Sequence, residues 1–333
     1  MSKISICVGS AHSDYGMKHL PDLHIFEYLM RSLRKQTFKD FEVVITDVLY
    51  EQRKNYFKEH HEDFVVKHVP VKPNIWIPRG LFGISTSKNT SLLYASGDIV
   101  VYTGDCTALP PNFLEIIVEK VKPNYCIEST YDCYFGDKKE IGLSDPRKPG
   151  MVPATYGYVS LCMEDALDLN GYNEMFDGSK GLEDCNFGRR MYVKGMDIEL
   201  IDSCPIHHQQ HGVCPSFSKS ENIKCARLME MLSVGESRKN VYRANSTPYT
   251  EEEIGRLLEC SYKVKGDRCE YVYDADGLGY FCTSGINKEG TSKYGDVDKI
   301  KYMYTHPSLI FDLREQRKNI PEALKKLEEL CKE

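Results

Sequence analysis

The stretch Ser32–Asp47, SLRKQTFKDFEVVITD, decides the fold. Its first residues close a helical pattern that starts near His24 and repeats Phe26, Leu29, Met30 and Leu33 on one face. A short polar turn follows. Then Phe41–Thr46, FEVVIT, reads as a buried strand that stops at the acidic Asp47. Helix, turn, buried strand and acid make one unit of a helix-covered sheet.

The same unit recurs outward in both directions. Ile4–Val8 is a short β-rich run before the first helix. Gln52–Glu59 reads as helical, and Phe64–Val69 as a third strand. Ser87–Ala95 has helical spacing with Gly97 as its stop signal, Ile99–Tyr102 is a fourth strand, and Pro110-Pro111 introduces a helix over Asn112–Val121. Beyond a strand and a long Gly-, Pro-, Asp- and Lys-rich stretch, 125–153, come a strand at Gly157–Cys162 and a short helix at Met163–Leu169. A stronger helix at Glu183–Val193, closed by Gly195, and a strand at Ile198–Ile201 complete the pattern. Strands alternating with helices predict an α/β fold, a mostly parallel Rossmann-like sheet with helices on both faces.

After Pro215 the character changes. Helical stretches around Asn222–Leu232, Thr250–Cys260 and Pro321–Lys332 flank a hairpin pattern at Tyr271–Cys282 that turns near Asp276-Gly277. The expected division is a sheet domain over 1–215 and a mostly helical extension over 216–333, serving acceptor recognition or oligomerisation, with the oligomeric state left open.

Bulk properties exclude several classes. The 333 residues are 41% hydrophobic and 28% charged, ordinary for a globular chain, and exceed one small core. The 43 basic and 49 acidic side chains leave a net charge of −6, with no general attraction to nucleic acid or anionic lipid. The 13 cysteines include no C-x-x-C pair, and their odd number argues against a disulfide framework. No apolar run approaches the ~20 residues of a membrane helix, and no signal peptide precedes the first strand. These features together predict a cytoplasmic protein with reduced thiols and no integral membrane segment.

In an open α/β sheet, ligands bind beyond the carboxyl ends of the strands. Asp47, Asp105, and the pair His207 and His208 fall at or beyond such ends. Each alone also reads as a turn former or a cap. Three motifs in order sharpen the assignment. Ser32–Asp47 resembles the opening of family 2 glycosyltransferases of the GT-A fold, with a helix ending S-L-x-x-Q-T and a turn into a strand that ends in Asp. Ser87–Cys106, SKNTSLLYASGDIVVYTGDC, resembles that family's segment running from R-N to its D-x-D metal motif. Gly181–Gly195, GLEDCNFGRRMYVKG, resembles its acceptor-side helix opening on an acid pair. Together the three span roughly residues 3–212. The metal motif here reads Thr103-Gly104-Asp105, so the first acid is absent, and Thr103 weakens the expected ribose contact. The Q-x-x-R-W signature of processive, membrane-embedded members is missing.

The resemblance implies an inverting, non-processive transferase that takes a nucleotide-sugar donor, a UDP-sugar in first place, with Mn²⁺ or Mg²⁺ as cofactor. It implies donor contacts from Ser10, Asp47, Arg79, Ser87, Lys88, Asn89, Thr103, Gly104 and Asp105. Asp105 would also be a metal ligand, joined by His208 in its His-Gln-Gln-His context, with His207 and His211 as runners-up. Asp184 would be the general base and Glu183 a contact to acceptor or donor sugar, while Arg189 and Arg190 could pair with these acids or with phosphate.

The chemistry suits these residue types. A divalent cation offsets charge developing on the departing diphosphate. Mn²⁺ accepts both carboxylate and imidazole. A carboxylate takes the proton of the attacking hydroxyl. Plainer readings stand beside them. Lys88 also reads as a solvated first-turn residue, and Glu183-Asp184 as two acids favoured at a helix start. Cys204, His207, His211 and Cys214 read as a zinc clip or as side chains of a polar loop. The acceptor reads as a glycan, a glycolipid, a protein or a modified base. The rival functions are a nucleotidyltransferase, whose basic Gly-rich loop Gly9–Gly16 lacks, and a degenerate binding module without turnover.

Overall fold

The computed structural model of the chain describes residues 3–10, 24–79, 83–135, 138–139, 158–177, 183–209, 242–246, 262–265, 268–271, 280–282 and 306–332. Their strands are β1 (Ile4–Ser10), β2 (Phe41–Asp47), β3 (Val65–Pro70), β4 (Ile99–Gly104), β5 (Thr107–Ala108), β6 (Tyr125–Phe135), β7 (Lys138–Lys139), β8 (Val159–Cys162) and β9 (Asp197–Gln209) in a main sheet. Three more, β10 (Tyr262–Lys265), β11 (Arg268–Tyr271) and β12 (Tyr280–Cys282), form a small antiparallel sheet. The helices are α1 (Ile25–Arg34), α2 (Tyr50–Arg53), α3 (Tyr56–Glu59), α4 (Ile84–Tyr94), α5 (Phe113–Lys120), α6 (Met163–Asp168), α7 (Glu183–Lys194), α8 (Leu313–Lys318) and α9 (Ile320–Leu330).

The main sheet runs β3-β2-β1-β4-β8-β6-β9-β5, with β7 on β6. β1, β2, β3 and β4 are mutually parallel, β8 is antiparallel to both neighbours, and β9 returns parallel to β6. From β1 the chain steps outward to β2 and β3, then crosses to β4 on the other side. The carboxyl ends of β1 and β4 therefore flank the point where strand order reverses, the crevice where open α/β sheets bind ligands.

Two apolar cores cover the faces. One joins β1, β2 and β4 to α1 and α5 through Ile6, Leu29, Leu33, Val43, Val101 and Phe113. The other lies under α4, α6 and α7, and includes Leu313 of α8. α4 is unusual in being interior yet polar: Ser85, Thr86, Ser87, Asn89, Thr90 and Ser91 are all buried. Two of its hydroxyls bond back into the helix, Thr90 Oγ1 donating to Thr86 O at 2.7 Å and Ser91 Oγ to Lys88 O at 2.7 Å. Gly9 lets this helix close on β1, since a Cβ there would sit 2.9 Å from Ser87 Oγ.

The tail is bound into this architecture. Arg243 reaches the carbonyls of Leu167 and Asp168, and Asn170 Nδ2 donates to Ala244 O and Phe311 O, each at 2.7 Å. Arg317 of α8 donates to the carbonyls of Leu92, Leu93 and Ala95 at the end of α4. β11 and β12 pair as the expected hairpin, and the predicted helices at 222–232 and 250–260 lie outside the described residues. Two further differences from the sequence reading are local. The predicted helix at 52–59 is two single turns, α2 and α3, interrupted at Lys54-Asn55. The strand expected over 198–201 runs from Asp197 to Gln209, with an irregular register on β6 where Ser129 faces Ile201 and Tyr131 faces Ile206.

Candidate functional site

Ser10 closes β1 and Asp105 begins the turn after β4, on either side of the reversal point. Ser10 Oγ donates to Asp105 Oδ2 at 2.7 Å. One strand further out, Asp47 ends β2 with its side chain fully buried. Its Oδ1 accepts from Leu49 N at 2.8 Å and from Arg53 Nη2 at 2.8 Å, and its Oδ2 lies 3.0 Å from His68 Nε2. Arg53 Nη1 also approaches Ser10 Oγ at 3.4 Å. A continuous polar chain therefore links the ends of β3, β2, β1 and β4. Arg53 and His68 are its unforeseen members. Arg53 sits six positions after Asp47, on the helical turn that the strand-end acid introduces, and that spacing is the one sequence signal for it.

β5 pairs antiparallel with β9 directly after Asp105, so Thr107 faces His208 and Ala108 faces His207. Gln209 N donates to Cys106 O at 2.9 Å. Asp105 and His208 thus belong to one corner although 103 positions separate them in sequence. His208 Nδ1 lies 2.6 Å from the Tyr158 hydroxyl, and the His207 ring packs 4.7 Å from that of Tyr134. Both histidines are strand residues, not loop residues. The donor set at this corner, one carboxylate and one imidazole, fits Mn²⁺ or Mg²⁺ only if the remaining ligands come from elsewhere. Consistently, the described residues contain no cluster of three or more His, Cys, Asp or Glu able to hold a metal alone.

The zinc-clip pattern divides. Cys204 is buried in the apolar core, where burial pushes its thiol up, away from the thiolate that zinc requires. His211 and Cys214 lie outside the described residues.

Several other predicted contacts face inward. Asn89 is fully buried; its Nδ2 donates to Tyr172 O and Glu174 Oε1 at 2.8 Å each, and its Oδ1 accepts from Tyr172 N at 2.7 Å. Ser87 is buried against β2, with its Oγ 3.2 Å from Thr46 Oγ1. Thr103 Oγ1 lies 2.8 Å from Thr107 Oγ1, turned into the β4–β5 corner. Gly104 is the last residue of β4, and a Cβ there would meet nothing closer than Thr107 Cγ2 at 3.6 Å. Arg79 closes the single 3₁₀ turn Ile77–Arg79, and its side chain falls outside the described set.

Lys88 is half-buried on α4. Its Nζ stands 4.1 Å from the Tyr172 ring centroid, and Tyr172 stacks on Phe187 of α7 at 4.2 Å. Glu183 and Asp184 open α7 beside the same ring. Burial first, and then Tyr102 and these two acids, raise the Tyr172 phenol well above its ordinary value. The stack therefore ties Lys88 to the acid pair. Arg190 also has a structural task. It is buried, donating to Leu169 O at 2.8 Å and Gly171 O at 2.7 Å, and so holds the end of α6.

The positions of α4 and the 170–177 segment depend on a second buried cluster. Asp177 accepts from Ser85 N, Thr86 N and Thr86 Oγ1 at 2.6–2.8 Å, capping α4 from 91 positions away. Burial, with Glu174 nearby, pushes the Asp177 carboxyl up to about 8 against these donors. Lys72 Nζ pairs with Glu174 Oε1 at 2.7 Å, fully buried. A cleft of about 540 Å³ opens beside Asp47, between the residues following β2 and β3 and the end of α9.

No protein-family model matches the sequence, and no curated protein matches it. Solved structures do. The chain is similar to S. aureus TarS residues 1–349 in complex with UDP-GlcNAc, at 14% identity and a TM-score of 0.51 over 72% of this chain and 69% of that one. It is similar to S. aureus TarS at 11% identity and a TM-score of 0.50, over 84% of this chain and 60% of that one. GalNAc-T7 with UDP, GalNAc and Mn²⁺ follows at 14% identity and a TM-score of 0.49, over 78% and 54%. At such identities the likeness defines the fold, and the fold is GT-A. No helix among the described residues is long and apolar enough to cross a membrane.

Proposed function

We propose that the chain is a glycosyltransferase of family 2 type that moves a sugar from a nucleotide-sugar donor, a UDP-sugar in first place, to an acceptor hydroxyl by single displacement with inversion. One observation carries this reading. Ser10 and Asp105 are hydrogen-bonded across the reversal point of a GT-A sheet, and the β5–β9 pairing brings His208 to the same corner. Asp105 and His208 would hold Mn²⁺ or Mg²⁺, with diphosphate oxygens completing the shell. That cation supplies charge neutralisation for the leaving diphosphate. Asp184, at the mouth of α7 beside Tyr172, would take the acceptor proton, and Lys88, held on the same ring, supplies positive charge near the donor. The acceptor, whether a glycan, glycolipid, protein or modified base, is left open by these residues.

Binding of a donor to the native state raises apparent stability by mass action. A thermal-shift series of nucleotide-sugars with Mn²⁺ tests the donor class, and release of UDP tests turnover. Chelation should abolish turnover and Mn²⁺ restore it. Asp105→Ala should weaken UDP only when metal is present, and His208→Ala should lower metal affinity more than His207→Ala. Full activity in chelator would remove the metal from the reaction. Tight donor binding without any UDP release would leave a binding module instead of an enzyme.

A further inference from the structure

The cleft beside Asp47 has two unlike walls. One is formed by the turns after β2 and β3, where Leu49, Val71, Pro73, Ile75 and Pro78 present an apolar surface. The other is the last turn of the chain, where Glu328, Cys331 and Lys332 close α9. Asp47 and Val48 also line the cleft, and Val48 N donates to Ser10 O at 2.9 Å, so its wall is one hydrogen bond from the residue that holds Asp105. Its volume of about 540 Å³ is that of a small-ligand site and exceeds what a diphosphate alone needs. Apolar, proline-rich walls suit the flat face of a nucleobase more than a hydrated sugar or phosphate.

The outer wall is not an incidental neighbour. α8 is anchored upstream by Arg317 on the carbonyls ending α4, and by Leu313, which is fully buried. Leu327 of α9 is buried as well, at 4% exposure. These anchors fix where the final turn lies, and Lys332 and Glu328 pair along it at 3.3 Å.

Resting on the donor reading above, we propose that the last turn of α9 is the outer wall of the nucleoside pocket, so that the end of the C-terminal extension selects the donor base and does not act on the acceptor side. Cys331 then lies against the bound base.

One substitution, one truncation and one reaction of the unaltered protein test this. Cys331→Trp fills the outer wall while leaving the buried anchors intact. A chain ending at residue 327 keeps Leu327 and removes the wall. Titration calorimetry with UDP and, separately, with Mn²⁺·pyrophosphate distinguishes the base pocket from the phosphate site. UDP affinity should fall about tenfold in Cys331→Trp, Mn²⁺·pyrophosphate binding should stay within about twofold, and the ligand-free melting temperature should hold. In the unaltered protein, alkylation of Cys331 by iodoacetamide, followed on its own peptide, should slow when UDP saturates. UDP affinity unchanged in both variants, or an equal loss of UDP and pyrophosphate, would overturn the wall and leave the donor reading standing. If the unaltered protein binds no nucleoside diphosphate at all, the donor reading fails and the pocket assignment with it. Should the shortened chain not fold, Cys331→Trp and the alkylation rate decide.

Discussion

Arg53→Met probes the polar chain that ties the strand ends together. Asp47 has no side-chain exposure and Arg53 has 8%, and their charged atoms lie 2.8 Å apart. Removing one partner of a buried pair costs roughly 3–5 kcal/mol, because the other charge is left uncompensated. Asp47 keeps the Leu49 amide and His68, at 2.8 and 3.0 Å, which places the expected loss at the low end, about 3 kcal/mol. For a chain of this size that corresponds to a fall of roughly 6 °C in melting temperature. Methionine retains much of the side-chain volume, so little of the loss comes from a cavity. Asp47→Asn should also destabilise, by removing the carboxylate that pairs with Arg53 at 2.8 Å. The double variant carries neither charge, and should therefore be milder than the sum of the two by about 2 kcal/mol. Urea unfolding of the four proteins measures this coupling directly. Additivity within about 0.5 kcal/mol, or a cost below about 1 kcal/mol for Arg53→Met, would refute the reasoning. Such a result would mean that the pair is solvated in practice and does not organise the strand ends.

Asp184→Asn should cut transfer by about 10²–10⁴ while UDP and metal affinity stay within a few-fold, with Glu183→Gln milder and felt mainly in KM; an active Asp184→Asn protein that loses only about 0.3–1 kcal/mol of stability would reduce the acid pair to a helix start. Gly171→Ala should destabilise by at least about 4 kcal/mol in urea, because the residue has φ +67° and a Cβ would lie 2.1 Å from Asn89 Oδ1 and 2.7 Å from Leu313 Cδ1; a loss under about 1 kcal/mol would show that the Asn89 bonds matter little. Asp177 has its folded carboxyl raised from 3.8 to about 8, so between those values the folded state holds more proton than the unfolded state, and this group's contribution to stability falls as pH rises through that window. Asp177→Asn should therefore flatten the slope of stability between about pH 5 and 7, roughly one unit inside each limit; an unchanged slope would place the titrating group elsewhere.

Much of the fold was legible because its signals are local. A strand buried on both faces is mostly apolar, so FEVVIT and IVVY declare themselves, and Phe26, Leu29, Met30 and Leu33 declare α1. The order of these elements, and the acids that end β2 and β4, are likewise properties of the linear chain. Polar residues do not declare themselves in this way. Asn89 and Arg190 read as partners of substrate, and in the folded chain they are buried partners of backbone groups up to 83 positions distant. A side chain that bonds water and one that bonds a remote carbonyl have the same sequence, and only the approach of α4, α6 and α7 decides between them. The same holds for His208, which the β5–β9 pairing sets opposite Thr107, two residues past Asp105, and for α9, whose last turn lines the cleft while Leu313 and Arg317 dock α8 upstream. The sequence by itself determined which segments could be strands and helices and which acids end them, since periodicity and burial are written at short range. The tertiary structure alone decided which polar groups are satisfied internally and which line the crevice, since that depends on contacts between segments far apart in the chain.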